Sequence, residues 1–261
     1  MTEKRSKVSS QKCTLTAISL LLTACSSVDD ARHATKREYP WHTDIVATTF
    51  WVGEILDPLV SDGSQVVSTY DANWMENYGG CDGVVEDGVC KTERRTADND
   101  YFPTSMEPKQ NPFYLDLPFD DVNNRRAFET RADVVPWAED PGYAGRAEDR
   151  SFSFLKNRWV RLERDGAVCY GQIQDAGPAL YDDAEYVFGD ADERPRSDMF
   201  NGAGLDVSPA LNGCLGFSEL NGQHDRVNWQ FVEDDEVPEG PWTIIVTTTP
   251  VIPFARVPGQ R

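Results

Sequence analysis

The sequence predicts a mainly β fold: one β-barrel domain with a single short helix and long loop insertions. Three observations carry this. Sixteen Pro and 19 Gly lie among short runs rich in Val, Ile, Thr, Tyr and Trp, the pattern of a loop-rich β protein. Aromatics make up 11% of the 261 residues, too many for a disordered acidic chain and enough for a sizeable core. Asp165-Gly166 stands between the runs NRWVRLER and AVCYGQIQ, and that dipeptide supplies the positive φ of a type I′ hairpin turn.

The elements follow in order. Residues 45–52 (IVATTFWV) and 65–70 (QVVSTY) read as the first two strands. Residues 76–110 are rich in Gly, Asp and Asn and read as a long loop. Residues 113–119 (FYLDLPF) form a short strand stopped by Pro118. Residues 136–152 are again loop, and 157–174 are the hairpin. An acidic loop spans 179–203. Ser208-Pro209 starts a helix over 209–216, with Ser as N-cap and Pro in the first turn. Strands at 226–232 (RVNWQFV) and 242–248 (WTIIVTT) complete the set.

Charge and cysteine usage narrow the function class. The chain has 25 Lys and Arg against 44 Asp and Glu, a net charge of −19, which argues against nucleic acid because phosphate binding needs clustered cations. Lys4, Arg5, Lys7 and Lys12 precede an apolar run from Leu15 to Leu22, and Leu22-Thr23-Ala24-Cys25 follows. A basic segment, a short apolar stretch and small residues read as a secretory signal. The Cys directly after them resembles the lipobox of bacterial lipoproteins, which implies cleavage before Cys25, a diacylglycerol on its sulfur and a membrane anchor in the cell envelope. Residues 1–24 are thus expected to be the signal, 25–42 a tether, 43–250 the barrel domain and 251–261 a tail. No later apolar run is long enough to span a bilayer.

Cys13 lies in the signal and Cys25 is the anchor, leaving Cys81, Cys90, Cys169 and Cys214. In an oxidising compartment four cysteines suggest two disulfides, with three connectivities open. Cys81–Cys90 is the local choice, and Cys169–Cys214 then joins a strand to the helix. No cofactor is expected. A zinc site is not expected either, because there is no CxxC and His33, His42 and His224 are scattered. Asp182, Asp183, Glu185, Asp190, Asp192 and Glu193 read as a solvated charge run, with calcium the alternative.

Several segments, taken in order, resemble the double-psi β-barrel superfamily, which holds rare lipoprotein A, the expansins, the membrane-bound lytic transglycosylase A type and the family-45 endoglucanases. Gln174-Asp175-Ala176-Gly177-Pro178 is similar to the Asp-Arg-Gly-Pro of rare lipoprotein A. Gly204-Leu205-Asp206-Val207-Ser208 is similar to its Ile-Asp-Leu-Ser. Ser68-Thr69-Tyr70-Asp71 and Leu211-Asn212-Gly213-Cys214 resemble the Thr-Arg-Tyr-Trp-Asp and Phe-Asn-Gly-Cys of the endoglucanases. Tyr114 stands where rare lipoprotein A has His, and Ala176 where it has Arg. The resemblance implies a six-stranded double-psi barrel whose groove takes a polysaccharide, peptidoglycan or a β-glucan.

Glycoside cleavage needs a carboxylic acid to protonate the leaving oxygen, and inverting hydrolysis also needs a base. By the endoglucanase resemblance Asp71 is the base and Asp206 the acid. By the rare lipoprotein A resemblance Asp175 is the acid. Asp is also common at turns and helix starts for backbone hydrogen bonding, so a structural role stands beside the catalytic one. Tyr70, Trp74, Tyr78, Tyr114 and Tyr170 lie beside these segments and are candidates for stacking on sugar rings, or for the core. Three readings follow: a glycan-cleaving lipoprotein, a non-catalytic expansin-like glycan-binding module, and a structural or interaction lipoprotein.

Overall fold

Alternation of apolar and polar residues sets the barrel. In RVNWQFV, the buried Val227, Trp229 and Phe231 alternate with more exposed neighbours, which is the period-2 pattern of a strand with one face in a core. The computed structural model describes residues 37–254 apart from 58 and 60–62. The expected signal, residues 1–24, and Cys25 lie outside the described residues.

The strands are β1 (His42–Thr49), β2 (Val84–Glu86), β3 (Val89–Lys91), β4 (Tyr114–Leu117), β5 (Trp159–Arg164), β6 (Ala167–Ala176), β7 (Leu205–Val207) and β8 (Arg226–Val232). Six of them close a barrel in the order β1-β7-β4-β6-β5-β8, while β2 and β3 form a separate two-stranded ribbon. The barrel is mixed. β1 and β7 run parallel, as do β4 and β6, and the remaining neighbours are antiparallel. Leu115, Leu117, Leu162, Ile173, Leu205 and Val207 are fully buried in its core.

The β5–β6 hairpin forms as expected, with φ of 50° at Asp165 and 86° at Gly166. Among the described residues five short helices accompany the barrel: α1 (Trp74–Tyr78), α2 (Arg125–Val134), α3 (Ala184–Phe188), α4 (Met199–Gly202) and α5 (Pro209–Cys214). The helix start at Ser208 is found in α5, where the Ser208 hydroxyl accepts from the Leu211 amide at 3.2 Å. α2 has an equivalent cap, Asn124, whose side chain accepts from Arg126 N and Ala127 N. Its Arg131 is fully buried and donates to the backbone carbonyls of Asp121, Arg146, Ala147, Asp149 and Phe152. One guanidinium thus organises the long loop after α2.

Two expected strands are absent as ladder strands. Residues 65–70 form a turn: the Ser68 hydroxyl accepts from Asp71 N, and Thr69 N donates to Asp175. Residues 242–248 lie against the barrel, but side-chain amides take their backbone groups. Thr247 N donates to Gln172 Oε1, Gln172 Nε2 donates to Thr247 O, and Asn111 Nδ2 donates to Trp242 O. Conversely β7, a strand of three residues, was not expected as one. The ends of the domain also extend further than expected. Tyr39, within the expected tether, is buried against Trp137 and Phe231, and Ile252, within the expected tail, bridges to Asp71.

Both disulfides are as expected, Cys81–Cys90 and Cys169–Cys214. The second ties β6 to the end of α5. In the acidic loop, Asp182, Asp183 and Asp192 pair with Arg126, Arg194 and Arg196. Among the described residues, no group of three or more His, Cys, Asp or Glu is placed to hold a metal ion. No described helix is long and apolar enough to cross a membrane.

Candidate functional site

Side chains alternate between the two faces of each barrel strand. In β7, Leu205 and Val207 point to the core, so Asp206 points to the other face. In β4, Leu115 and Leu117 point to the core and Asp116 points away from it. The register sets Asp116 directly opposite Asp206. Asp175 joins them by a different device. Leu115 pairs with Ile173 but Asp116 pairs with Asp175, so Gln174 is an extra residue on β6. Such a bulge reverses the alternation and re-aims the following side chain. On the far side Thr48 of β1 is the register partner of Asp206. Thr48, Asp206, Asp116 and Asp175 therefore stand in one row across four neighbouring strands.

The row is held by hydrogen bonds. The Thr48 hydroxyl donates to Asp206 Oδ1. Asp206 N donates to Asp116 Oδ1 at 3.0 Å. Thr69 N and Ala176 N donate to Asp175 Oδ1 at 2.7 and 2.8 Å. Gly177, just after β6, leaves room for the row: a Cβ there would come within 2.6 Å of Asp116 Oδ2.

A cleft of about 470 Å³ opens over Asp116 and Asp206, and Glu54 lines it as well. Asp206 is partly exposed, whereas Asp116, Asp175 and Glu54 are buried. The half-exposed Ile55, Leu56, Tyr181 and Phe200 also line it and give it an apolar rim. Phe200 has left-handed backbone, φ 51° and ψ 40°, uncommon for a bulky side chain. Among the described residues none of those lining the cleft is Lys, Arg or His.

Burial disfavours the charged form of a carboxyl, and neighbouring carboxylates add to this. Burial, and then Asp175, push Asp206 up to about 7. Burial, and then Asp206 and Asp175, push Asp116 well above the usual carboxylate range. Burial raises Asp175 to about 6 against the opposing amide hydrogen bonds from Thr69 and Ala176. Glu54 is raised to about 8, by burial first, with the Trp51 backbone opposing and Asp206 adding. The arrangement keeps carboxylic acids protonated near neutral pH at the floor of an open cleft. This is the state a general acid needs.

The residues singled out from sequence divide accordingly. Asp206 lines the cleft. Asp175 stands in the row beside it, behind the cleft wall, where it also holds the 68–71 turn. Asp71 does not join them: it is fully buried, and Asn73 N and both contacts of Asn77 Nδ2 close its carboxylate. A base needs an oxygen open to water, so Asp71 is a structural residue here. The buried Lys156 lies near Asp71 and Asp175, donating to Gln174 Oε1 at 2.8 Å.

Tyr70, Trp74, Tyr114 and Tyr170 are all buried, and stacking on a sugar needs an exposed ring face. Tyr114 packs edge to face on Phe50, Trp74 and Tyr78, and Trp74 lies tilted against Phe50. The Tyr114 hydroxyl donates to Asp82, which pairs with the buried Arg95. Tyr170 packs on Trp242. These four are core residues, and the exposed rings at the cleft are Tyr181 and Phe200. Asp116 and Glu54 were missed from sequence. Their signal was an acid inside an apolar strand pattern, Leu115-Asp116-Leu117, and a single acid in Val52-Gly53-Glu54-Ile55-Leu56. Asp is depleted in strands, and one placed there asks for a reason.

No protein-family model, no curated protein and no solved structure matches the chain.

Proposed function

We propose that the protein is an exported, lipid-anchored enzyme that binds and cleaves a polysaccharide of the cell envelope, with Asp206 as general acid. The observation that carries this reading is the pair Asp116–Asp206, set face to face by strand register at the floor of an open cleft. Burial and the neighbouring Asp175 keep the proton on Asp206, and the Thr48 hydroxyl orients the Asp206 carboxyl. Asp206 gives its proton to the glycosidic oxygen as the C1–O bond breaks. A hydroxyl, from water or from the same sugar, then adds to C1, and its proton returns to the ionised Asp206. Membership of the double-psi superfamily is part of the same proposal, supported by the mixed barrel with parallel β1–β7 and β4–β6 pairs and by the strand positions of Asp175 and Asp206. Export and anchoring through Cys25 are supported by the two disulfides, which persist in oxidising compartments.

Zymography on peptidoglycan and β-glucans tests the activity. Asp206→Asn is expected to retain the fold and lose cleavage by about 10²-fold or more, and Asp175→Asn to lose it by lowering the proton occupancy of Asp206. Wild-type cleavage should fall as pH rises through about 7, where Asp206 ionises. Binding without cleavage would leave a glycan-binding module, and neither would leave an interaction lipoprotein.

A further inference from the structure

Two side-chain oxygens at the cleft have no hydrogen-bond partner in the protein, although both are buried: Glu54 Oε2 and Gln65 Oε1. Buried polar atoms are almost always paired, so each exception asks for an explanation. Glu54 is only 8% exposed, and both residues line the same cleft as Asp116 and Asp206. They are held side by side by backbone pairing. Gln65 N donates to Glu54 O at 2.8 Å, and Gly53 N donates to Gln65 O at 2.9 Å. The segment then continues through an Ile55–Ser64 bridge. Backbone pairing thus sets two cleft-lining residues with unsatisfied oxygens side by side, in the same cleft as Asp116 and Asp206.

What would satisfy them is a ligand rich in O–H groups. A phosphate, sulfate or carboxylate would bring a charge that no Lys, Arg or His among the described lining residues offsets. A sugar hydroxyl donates and accepts, so it pairs with an amide oxygen and with a carboxyl in either protonation state. The half-exposed Tyr181 and Phe200 supply ring surface for the apolar face of a sugar ring. We propose that Glu54 and Gln65 form a subsite for an uncharged sugar, each bonded to one of its hydroxyls, beside the point of cleavage. This rests on the glycan reading and adds the class of glycan: neutral rather than uronate, sulfated or phosphorylated.

Met replaces Glu or Gln at similar volume and removes the hydrogen-bonding atoms. Isothermal titration of the full chain carrying Asp206→Asn, with cellotetraose, chitotetraose and tetragalacturonate, tests the subsite. A neutral tetrasaccharide is expected to bind, and tetragalacturonate to bind at least about tenfold more weakly. Adding Glu54→Met or Gln65→Met should each weaken the neutral ligand by about tenfold. The melting temperature should hold or rise, because an unsatisfied buried group has been removed. Neutral binding that neither substitution changes would overturn the subsite and leave the glycan reading standing. Equal binding of tetragalacturonate would overturn the neutral-substrate class. If none of the three binds, the subsite falls, and zymography alone then decides the glycan reading. Should Glu54→Met not fold, Gln65→Met reads the same subsite.

Discussion

Asp116 and Asp206 are register partners in an antiparallel pair, where like charges directly opposite destabilise a sheet. The fold tolerates them only while protons are shared among the row. The sign of the pH dependence follows. Asp206 and Asp175 have folded values of about 7 and 6, above the roughly 3.9 of an unfolded Asp. Their contribution to stability is therefore fully present below about pH 3.9 and lost as pH rises through 6 to 7. His42 acts in the opposite sense. It is fully buried, stacked on Trp229 with both nitrogens unpartnered, and lowered by burial to about 4. Its contribution is present above about pH 6.5 and lost as pH falls through 4. With two raised acids against one lowered His, the net contribution of these groups should decline as pH rises from about 4 toward 7. Asp116→Asn keeps an oxygen for the Asp206 amide and removes a charge, so it should raise the melting temperature at pH 8 by about 2–4 °C or more. Little change is expected at pH 5. A thermal scan at both pH values checks this, and an equal shift at both would count against charge repulsion.

At the scale of elements, the two disulfides differ in the loop they close, with sequence separations of 9 and 45. In the chain-entropy model their loss costs about 3 and about 4 kcal/mol. Denaturant unfolding of the Cys81→Ala/Cys90→Ala and Cys169→Ala/Cys214→Ala proteins should show the second to be the less stable, and the reverse order would exclude loop entropy as the main term. Elements whose information is local were legible in the sequence. The Asp165-Gly166 turn, the alternation in 226–232 and the Ser208 cap each specify their own geometry. Residues 65–70 and 242–248 have strand composition, yet distant side chains decide their fate: Asp175 takes Thr69 N, and Gln172 and Asn111 take the groups around Thr247 and Trp242. The candidate site was half legible for the same reason. Asp175 and Asp206 stand in recognisable motifs, whereas Asp116 matters because two other strands bring acids to it, and the bulge at Gln174 leaves no mark in composition. The sugar-stacking expectation failed because an aromatic beside a motif segment says nothing of which face it occupies.

At the scale of the whole molecule, removal of residues 1–24 would leave 21 basic and 43 acidic side chains, a strongly anionic body that anionic lipid headgroups would repel rather than hold. Membrane attachment in the proposed reading thus depends on the acyl chains at Cys25 and not on surface charge. Cys25→Ser should abolish palmitate labelling and release the protein from the membrane fraction or stall its maturation, and fractionation in high salt should leave the wild type in place. Unchanged partitioning without labelling would refute the anchor. The formal charge of −19 counts every carboxyl as ionised, and at the cleft that count is wrong. Burial and mutual repulsion hold Asp116, Asp206 and Glu54 protonated near neutral pH. The cleft floor is therefore a region of low charge in an acidic molecule. An anionic polymer is turned away before it arrives, while an uncharged one crosses the field without resistance and meets a floor of proton donors.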